Sequence, residues 1–172
     1  MARKIFTRGF ICAFPGCGKS TIFRNAEEYG LVQGVNPEEL KENFGNFMGL
    51  QDPIVFDSDS SYFDKTKFPQ NYIQHMKGLQ DLYEGNFVAL VSSHDNVREA
   101  MKREGIKYDL VFPDRSIKDE FIQRYIDRGN SDFFVKLLTE KWDDFIDSCE
   151  NDRTIGRKYR LQAGQYLADV LL

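Results

Sequence analysis

The stretch that decides the fold lies near the start of the chain, where an apolar segment leads into a glycine-rich turn and then into a helical pattern. It reads Phe10-Ile11-Cys12-Ala13-Phe14-Pro15-Gly16-Cys17-Gly18-Lys19-Ser20-Thr21. A short apolar run such as Phe10 to Phe14 is typical of a strand that is buried on both faces of a parallel sheet. The helical pattern runs from Ser20 to Tyr29 and stops before Gly30, where glycine commonly ends a helix. This order predicts the first strand and helix of an α/β sheet.

The same alternation continues along the chain. Further strands are predicted at Ile54 to Asp57, Phe87 to Ser92, Tyr108 to Phe112 and Lys158 to Gln162. Helical patterns separate them at Tyr72 to Tyr83 and at Asn96 to Lys102. We therefore predict one domain over residues 1–172, an α/β fold with three layers around a doubly wound sheet of five parallel strands.

Between the last two predicted strands, the sequence predicts a helical insertion. Ser116 is expected to cap its first helix, Gly129 to end that helix, and Ser131 to cap a second one. The second helix is expected to carry one apolar stripe, formed by Phe134, Leu138, Trp142 and Phe145. We expect this insertion, at about 114–150, to form a helical lid.

The composition excludes several classes of protein. Hydrophobic residues make up 41% of the chain and aromatic residues 14%, which is globular rather than disordered. The net charge of −4 provides no overall positive field for a nucleic acid. Cys12, Cys17 and Cys149 suggest neither a disulfide framework nor a metal cage. These unpaired cysteines lead us to expect a protein of the reducing cytoplasm. Because Phe10 to Phe14 is far shorter than the ~18 residues that span a bilayer, we expect no membrane partner.

The glycine-rich turn matches the phosphate-binding pattern G-x-x-x-x-G-K-[ST], except that Ala13 stands at the first glycine. Glycines let backbone N–H groups approach phosphate oxygens closely, and a helix N-terminus favours an anion. We expect the turn to hold the phosphates of ATP, with Lys19 on the β- and γ-phosphates and the Ser20 hydroxyl on Mg²⁺. The residues predicted to bind the nucleotide are Pro15, Gly16, Cys17, Gly18, Lys19, Ser20 and Thr21. A loop rich in N–H dipoles could lower the pKa of the Cys17 thiol and make it sensitive to oxidation. The alternative, which we favour, is that Cys17 occupies a variable position of the loop.

Two carboxylates follow the second predicted strand. Asp57 and Asp59 stand at the edge of the sheet where ligands of such folds bind. Asp57 is predicted to hold Mg²⁺, directly or through water. Asp59 is predicted to accept a proton from an attacking hydroxyl or to bind the acceptor substrate. The structural alternative for both is an Asx turn that ends the strand.

Arginines provide the candidate contacts to the acceptor and to the transferred group. Arg98 follows the third predicted strand, on a helix that Ser93 or Asp95 is expected to cap, and could face an acceptor phosphate. A solvated helix charge explains Arg98 almost as well. In the predicted lid, Arg124 and Arg128 share one helical face and are predicted to stabilise charge on the transferring phosphoryl group. Arg115 and Lys118 are weaker alternates to these two arginines. His94 could contact water or a phosphate, but a single histidine near the end of a strand more often has a structural role.

With these residues, the sequence resembles the P-loop kinases of the nucleoside monophosphate kinase superfamily, including small forms encoded by bacteriophages. The resemblance covers most of the chain. It rests on the segment from Pro15 to Thr21, on Val55-Phe56-Asp57-Ser58-Asp59, and on the insertion that carries Arg124 and Arg128. It implies a P-loop NTPase fold, a lid that supplies arginines, and an acceptor site after the second strand. Asp57-Ser58-Asp59 is also similar to the Asp-x-Asp of related small-molecule kinases that phosphorylate hydroxyl groups.

Three functions follow as alternatives. The first is ATP- and Mg²⁺-dependent phosphoryl transfer to a nucleoside monophosphate, such as a deoxynucleotide. The second is transfer to a hydroxyl of a nucleoside, a sugar or a polynucleotide end, with Asp57 or Asp59 as the base. The third is a nucleotide-dependent switch that hydrolyses ATP slowly or not at all. A nucleotide is the expected partner, and nucleic acid is not expected apart from a polynucleotide end.

Overall fold

The computed structural model describes residues 4–35, 52–154 and 156–171. Within these ranges, six parallel strands form one sheet in the order β2-β3-β4-β1-β5-β6. The strands are β1 (Gly9–Ala13), β2 (Val32–Gln33), β3 (Ile54–Ser58), β4 (Phe87–Ser92), β5 (Tyr108–Pro113) and β6 (Lys158–Leu161). The α/β class and the parallel sheet are confirmed, and all five predicted strands are present. The predicted number of strands was wrong, because the short edge strand β2 adds a sixth.

Helices cover the sheet and connect its strands. They are α1 (Lys19–Arg24), α2 (Gln70–Tyr83), α3 (Asp95–Arg103), α4 (Lys118–Asp127), α5 (Asp132–Glu140), α6 (Trp142–Glu150) and α7 (Leu167–Leu171). Three-residue or four-residue 3₁₀ turns occur at Ala26–Tyr29, Ser60–Tyr62 and Arg115–Ile117. The first predicted helix is therefore divided, since α1 ends at Arg24 and a 3₁₀ turn carries the chain to Gly30.

The helical insertion contains three helices, where the sequence predicted two. Ser131 caps α5 as expected, because its hydroxyl oxygen accepts the Phe134 N–H at 3.1 Å. Ser116 does not cap α4, because the N-cap of α4 is Ile117 and no side chain caps it; the Ser116 hydroxyl donates to the Asp114 carboxylate instead. The predicted apolar stripe is interrupted at Trp142, where α6 begins.

The position of Trp142 explains this break. Its indole N–H donates to the Arg115 carbonyl at 3.2 Å. Its ring also packs edge-to-face on Phe14, with ring centroids 5.5 Å apart. These contacts fix the start of α6 against the body of the domain.

The strand order determines where a ligand can bind. β1 pairs with β4 on one side and with β5 on the other. The chain leaves β1 toward β3 but leaves β4 toward β5, so the two connections run in opposite directions. In open parallel sheets a crevice forms beyond the carboxyl ends of the strands at such a switch point. Residues that follow β1, β3 and β4 therefore meet at one edge.

The core lies on both faces of this sheet. Every residue of β4 and β5 is buried, as are four of the five residues of β1. Burial on both faces accounts for the continuous apolar runs from which the strands were predicted. Among the described helices, none is long and apolar enough to cross a membrane.

Candidate functional site

A cavity of about 660 Å³ occupies the switch point. Four parts of the chain form its walls: the turn after β1 with α1, the segments after β3 and β4, the end of α4 with the start of α5, and Tyr166 beyond β6. The lining residues are Ala13, Pro15, Gly16, Gly18, Lys19, Ser20, Thr21, Arg24, Asp57, Asp59, Ser60, Ser61, Tyr62, Ser92, Ser93, His94, Arg124, Asp127, Arg128, Asn130, Phe134 and Tyr166. Most of the residues predicted for the site are thus brought together.

The turn between β1 and α1 has an asymmetric hydrogen-bond pattern. Each backbone carbonyl from Ala13 to Gly18 accepts a hydrogen bond. The donors, in order, are Lys19 Nζ, the Cys17 N–H, the Tyr125 hydroxyl, Arg124 Nη1, the Leu167 N–H and the Ile22 N–H. By contrast, the amide N–H groups of Gly16, Gly18, Lys19 and Ser20 donate to no other described residue. The turn therefore offers free donors and no free carbonyl acceptors.

The glycines of the turn are required by its geometry. Gly16 and Gly18 have φ values of +87° and +98°, in the region that L side chains rarely adopt. A β-carbon on Gly16 would lie 2.8 Å from Tyr125 Cε1, and one on Gly18 would lie 3.3 Å from Tyr166 Cδ1. Ala13 is the last residue of β1 and does not have a positive φ. Its β-carbon is therefore tolerated where the phosphate-binding pattern has glycine.

Lys19 and Asp57 both line the cavity. Lys19 is partly exposed, and its Nζ donates to the Ala13 carbonyl at 3.2 Å. Burial raises the pKa of Asp57, and so does the nearby charge of Asp59, whereas the charge of Lys19 lowers it. Ser20 and Thr21, at the start of α1, are exposed to the cavity.

Asp59 points its carboxylate partly into its own turn. Its Oδ1 accepts the Ser61 N–H at 2.9 Å and caps the 3₁₀ turn Ser60–Tyr62. This arrangement is the Asx turn that was considered as the structural alternative. Asp59 nevertheless lines the cavity. The charge of Asp59 also affects His94. Partial burial and the charges of Lys19 and Lys65 lower the pKa of His94, and the charge of Asp59 partly offsets this effect.

A buried polar network supports the wall formed by the ends of β3 and β4. The Tyr72 hydroxyl donates to the Ser58 carbonyl and accepts the Ser92 N–H at 3.2 Å. The Ser92 hydroxyl accepts the Ser60 N–H at 3.2 Å and donates to the Ser60 hydroxyl at 2.9 Å. His75 Nε2 lies 2.9 Å from the Ser58 hydroxyl oxygen. The network ties together the two segments that carry Asp59 and His94.

Arg98 does not reach the cavity, contrary to the prediction. Its side chain is 5% exposed and forms an ion pair with the fully buried Asp152, with Nη1 and Oδ2 2.7 Å apart. It also donates to the Ser93 carbonyl at 2.8 Å and to the Ser148 hydroxyl at 2.6 Å. These bonds occupy its guanidinium. The structural role outweighs the predicted one, because a buried guanidinium requires a partner. Neither Ser93 nor Asp95 caps this helix with its side chain, since the N-cap is His94.

The two lid arginines lie in different environments. Arg124 is 9% exposed, and its Nη2 donates to Glu120 at 2.9 Å and to the Gln165 carbonyl at 2.8 Å. Its guanidinium carbon lies 3.9 Å from the ring centroid of Tyr166. Arg128 is exposed and lines the cavity, and no ion pair to another described residue engages it.

The weaker alternates, Arg115 and Lys118, do not line the cavity. Arg115 forms ion pairs with Asp143, Asp147 and Glu150 of α6. The insertion is held to the rest of the domain by Trp142, whose ring packs on Phe14, and by Ser148, which accepts hydrogen bonds from Arg98. Its cavity-facing part is limited to the end of α4 and the start of α5.

Cys17 and Tyr166 differ from the sequence analysis. The Cys17 side chain is fully buried, and burial raises the pKa of its thiol to about 12. The lowered pKa considered from the sequence is therefore wrong, because desolvation outweighs the charges of Lys19 and Arg124. Tyr166, which the sequence analysis missed, lies over Gly18 and Arg124. Its position one turn beyond the last strand, at the ligand-binding edge, is the signal that could have indicated it.

A metal ion at this site would need ligands from a substrate. Within residues 4–35, 52–154 and 156–171, no group of three His, Cys, Asp or Glu side chains could hold a metal ion alone. Mg²⁺ is usually held by one or two protein oxygens together with phosphate oxygens and water. The hydroxyl of Ser20 and the carboxylate of Asp57 are donors of the kind it prefers. The residues present therefore fit Mg²⁺ bound with a nucleotide.

Comparison with known proteins gives no relative. No protein-family description matches the chain, no characterised protein is significantly similar to it in sequence, and no solved structure matches it significantly. The functional argument therefore rests on the site.

Proposed function

We propose that this protein is an ATP- and Mg²⁺-dependent phosphotransferase that binds the phosphates of the nucleotide in the turn between β1 and α1. The observation that carries the proposal is the pattern of that turn. Its carbonyl oxygens are all engaged, and within residues 4–35, 52–154 and 156–171 the N–H groups of Gly16, Gly18, Lys19 and Ser20 find no acceptor. Successive free backbone N–H groups form an anion-binding concavity. The ammonium of Lys19 adds a positive charge at the same place.

Each residue of the donor side then has a role. Lys19 binds the β- and γ-phosphates, and the backbone from Gly16 to Ser20 holds the phosphate oxygens. Ser20 and Asp57 hold Mg²⁺, which when bound offsets charge on the β- and γ-phosphates. Arg128 is the better candidate for the charge that develops on the transferring group, because Arg124 is already engaged with three partners.

The acceptor side supports a hydroxyl better than a phosphate. The cations that line the described cavity wall lie on α1, on α4 and just after α4, at Lys19, Arg24, Arg124 and Arg128. The described wall beyond β3 and β4 contributes carboxylates, hydroxyls and a histidine instead. An acceptor phosphate at this wall would lie near the carboxylates of Asp57 and Asp59. The guanidinium of Arg98, which was predicted to contact it, is paired with Asp152 instead. We therefore favour a hydroxyl acceptor and keep the nucleoside monophosphate, which the family resemblance implies, as the second candidate.

For a hydroxyl acceptor, Asp59 is the candidate base. The acceptor oxygen would attack the γ-phosphorus while the bond to the β-phosphate oxygen breaks and ADP leaves. The hydroxyl proton would pass to the Asp59 carboxylate, one oxygen of which is free of the Ser61 N–H. A positioned carboxylate typically contributes about 10²- to 10⁴-fold to such a step.

Matched acceptors test the proposal. The protein is incubated with ATP and Mg²⁺ and with pairs of compounds, each a nucleoside and its monophosphate, together with sugars and 5′-hydroxyl oligonucleotides. ADP formation is then followed. Turnover that depends on the unphosphorylated member supports the hydroxyl acceptor, and turnover with the monophosphate alone favours the second candidate. ATP binding without acceptor-dependent turnover favours the third alternative, a nucleotide-dependent switch. Failure to bind ATP contradicts the proposal itself.

A pair of variants tests the role of Asp59. Asp59→Asn is expected to lower kcat for a hydroxyl acceptor by about 10²-fold or more, with little change in ATP affinity. Asp81→Asn is the control, because Asp81 is an exposed carboxylate on α2 outside the cavity wall. Equal turnover by the two variants would remove Asp59 from the mechanism.

A further inference from the structure

The carbonyl groups of the phosphate-binding turn are held from outside the turn. The Tyr125 hydroxyl donates to the Pro15 carbonyl at 2.8 Å, and Arg124 Nη1 donates to the Gly16 carbonyl at 2.9 Å. The Leu167 N–H donates to the next carbonyl, that of Cys17, at 2.7 Å. Three consecutive peptide groups are thus fixed by donors from two distant parts of the chain.

Fixing a carbonyl also fixes the amide that follows it. In a trans peptide unit the C=O and the next N–H point in opposite directions in one plane. The bond to Pro15 therefore sets the direction of the Gly16 N–H, and the bond to Cys17 sets that of the Gly18 N–H. These are two of the free donors of the turn, and both glycines line the cavity.

The side chains that hold the turn are themselves held. The Arg124 guanidinium lies between two aromatic rings, 4.3 Å from the centroid of Phe121 and 3.9 Å from that of Tyr166. Its remaining bonds reach Glu120 and the Gln165 carbonyl. Tyr125 is fully buried, and its ring packs against Phe134 with centroids 5.2 Å apart. Neither side chain can move without breaking several contacts.

From this geometry we infer that Tyr125 and Arg124 are positioning residues that preorganise the phosphate-binding turn. They do so by holding the Pro15 and Gly16 carbonyls toward α4. The inference rests on the proposed function, because it assumes that the turn binds phosphate groups. It assigns to Arg124 a different part from the one predicted from sequence, since Arg124 acts through the loop backbone rather than on the transferred group. Preorganised donors bind an anion without the cost of ordering them at the moment of binding.

The test compares two tyrosine variants that each lose a single hydroxyl. Tyr125→Phe removes the bond to Pro15 and keeps the ring that packs on Gly16. Tyr83→Phe is the matched control, because the buried Tyr83 hydroxyl has no hydrogen-bond partner among the described residues. Pyrophosphate, ADP and GDP are titrated with Mg²⁺ into the full chain by calorimetry, and the tightest binder of the wild type is the probe. Thermal unfolding of each variant is measured in parallel.

Tyr125→Phe is expected to weaken binding of the probe by roughly three- to tenfold, the usual effect of one lost hydrogen bond. Tyr83→Phe is expected to leave the Kd unchanged. Arg124→Lys, which keeps the charge but loses the planar fork, is expected to weaken binding as well. A role in stability alone would lower the Tm of Tyr125→Phe without moving its Kd, and that result would overturn the inference. Equal weakening by the two tyrosine variants would also overturn it. If the wild type binds none of the probes, the proposed function fails instead.

Discussion

Replacing Asp152 with Asn is expected to destabilise the protein strongly. The Asp152 side chain is fully buried and accepts hydrogen bonds from Arg98 Nη1 at 2.7 Å and from the Tyr108 hydroxyl at 2.7 Å. Lys102 Nζ lies 3.1 Å from the same carboxylate. Asp152→Asn removes the charge and leaves the guanidinium of Arg98 buried without its counterion. Breaking a buried ion pair from one side costs about 3–5 kcal/mol. For a chain of this length, that corresponds to a fall in Tm of roughly 6–20 °C.

Calorimetry and urea unfolding provide the measurement. The control is Glu104→Gln, which breaks the exposed Lys77–Glu104 pair, in which both side chains are 49% exposed. Such exposed pairs contribute about 0–1 kcal/mol, so the control is expected to stay within a few degrees of the wild type. A double variant, Arg98→Met with Asp152→Asn, is expected to recover part of the loss. If Asp152→Asn were as stable as Glu104→Gln, the structural role assigned to Arg98 would be wrong.

The pH dependence of the same pair has a defined sign. Burial alone would raise the pKa of Asp152, but hydrogen bonds from Arg98, Tyr108 and Lys102 hold it below its ordinary value. A carboxylate with a lowered pKa in the folded state stabilises the fold above its unfolded pKa, which is about 3.9 for Asp. The stability difference between the wild type and Asp152→Asn is therefore expected to be complete above about pH 5. It is expected to shrink as the pH falls through 4, as measured by urea unfolding at each pH.

Three further predictions concern the phosphate-binding turn. Lys19→Ala is expected to abolish detectable binding of Mg²⁺ and ATP in calorimetry, and retained affinity would contradict the assignment of the turn. Gly16→Ala forces a side chain into a positive φ and against a ring, so urea unfolding is expected to show a loss of about 1–3 kcal/mol; an unchanged stability would mean that the turn relaxes freely. Cys17 is buried and the pKa of its thiol is raised, so alkylation by iodoacetamide at pH 8, followed by mass spectrometry, is expected to require unfolding. For the same reason, peroxide is expected to affect nucleotide binding equally in Cys17→Ser and in the wild type.

The sheet could be predicted because its physical cause is local. Strands that are covered on both faces are apolar at nearly every position, so Phe87 to Ser92 stands out in the sequence with both ends correct. The edge strand β2 could not be found in this way, since it has only two residues, Val32 and Gln33. The break at Trp142 was also hidden, because neither glycine nor proline marks it. It is determined by contacts with Phe14 and Arg115, which lie far away in sequence.

Site residues that directly follow strands could be predicted from the sequence. Those whose position depends on partners far away in the sequence could be predicted less well. Asp57 and Asp59 reach the cavity because parallel strands end at one edge. Arg98 has equally suitable sequence surroundings, but its partner Asp152 is 54 residues away and removes it from the site. The spacing of Arg124 and Arg128 correctly indicates one helical face. It cannot reveal that Arg124 is covered by Tyr166, which lies beyond the last strand.

The bond from the Leu167 N–H to the Cys17 carbonyl joins a turn made early in synthesis to a segment made late. The same is true of the Gln165 carbonyl, which holds Arg124. Until these residues have been synthesised, the turn lacks two of its supports. Under the proposed function, nucleotide binding is therefore expected to reach full affinity only once Gln165 and Leu167 can support the turn.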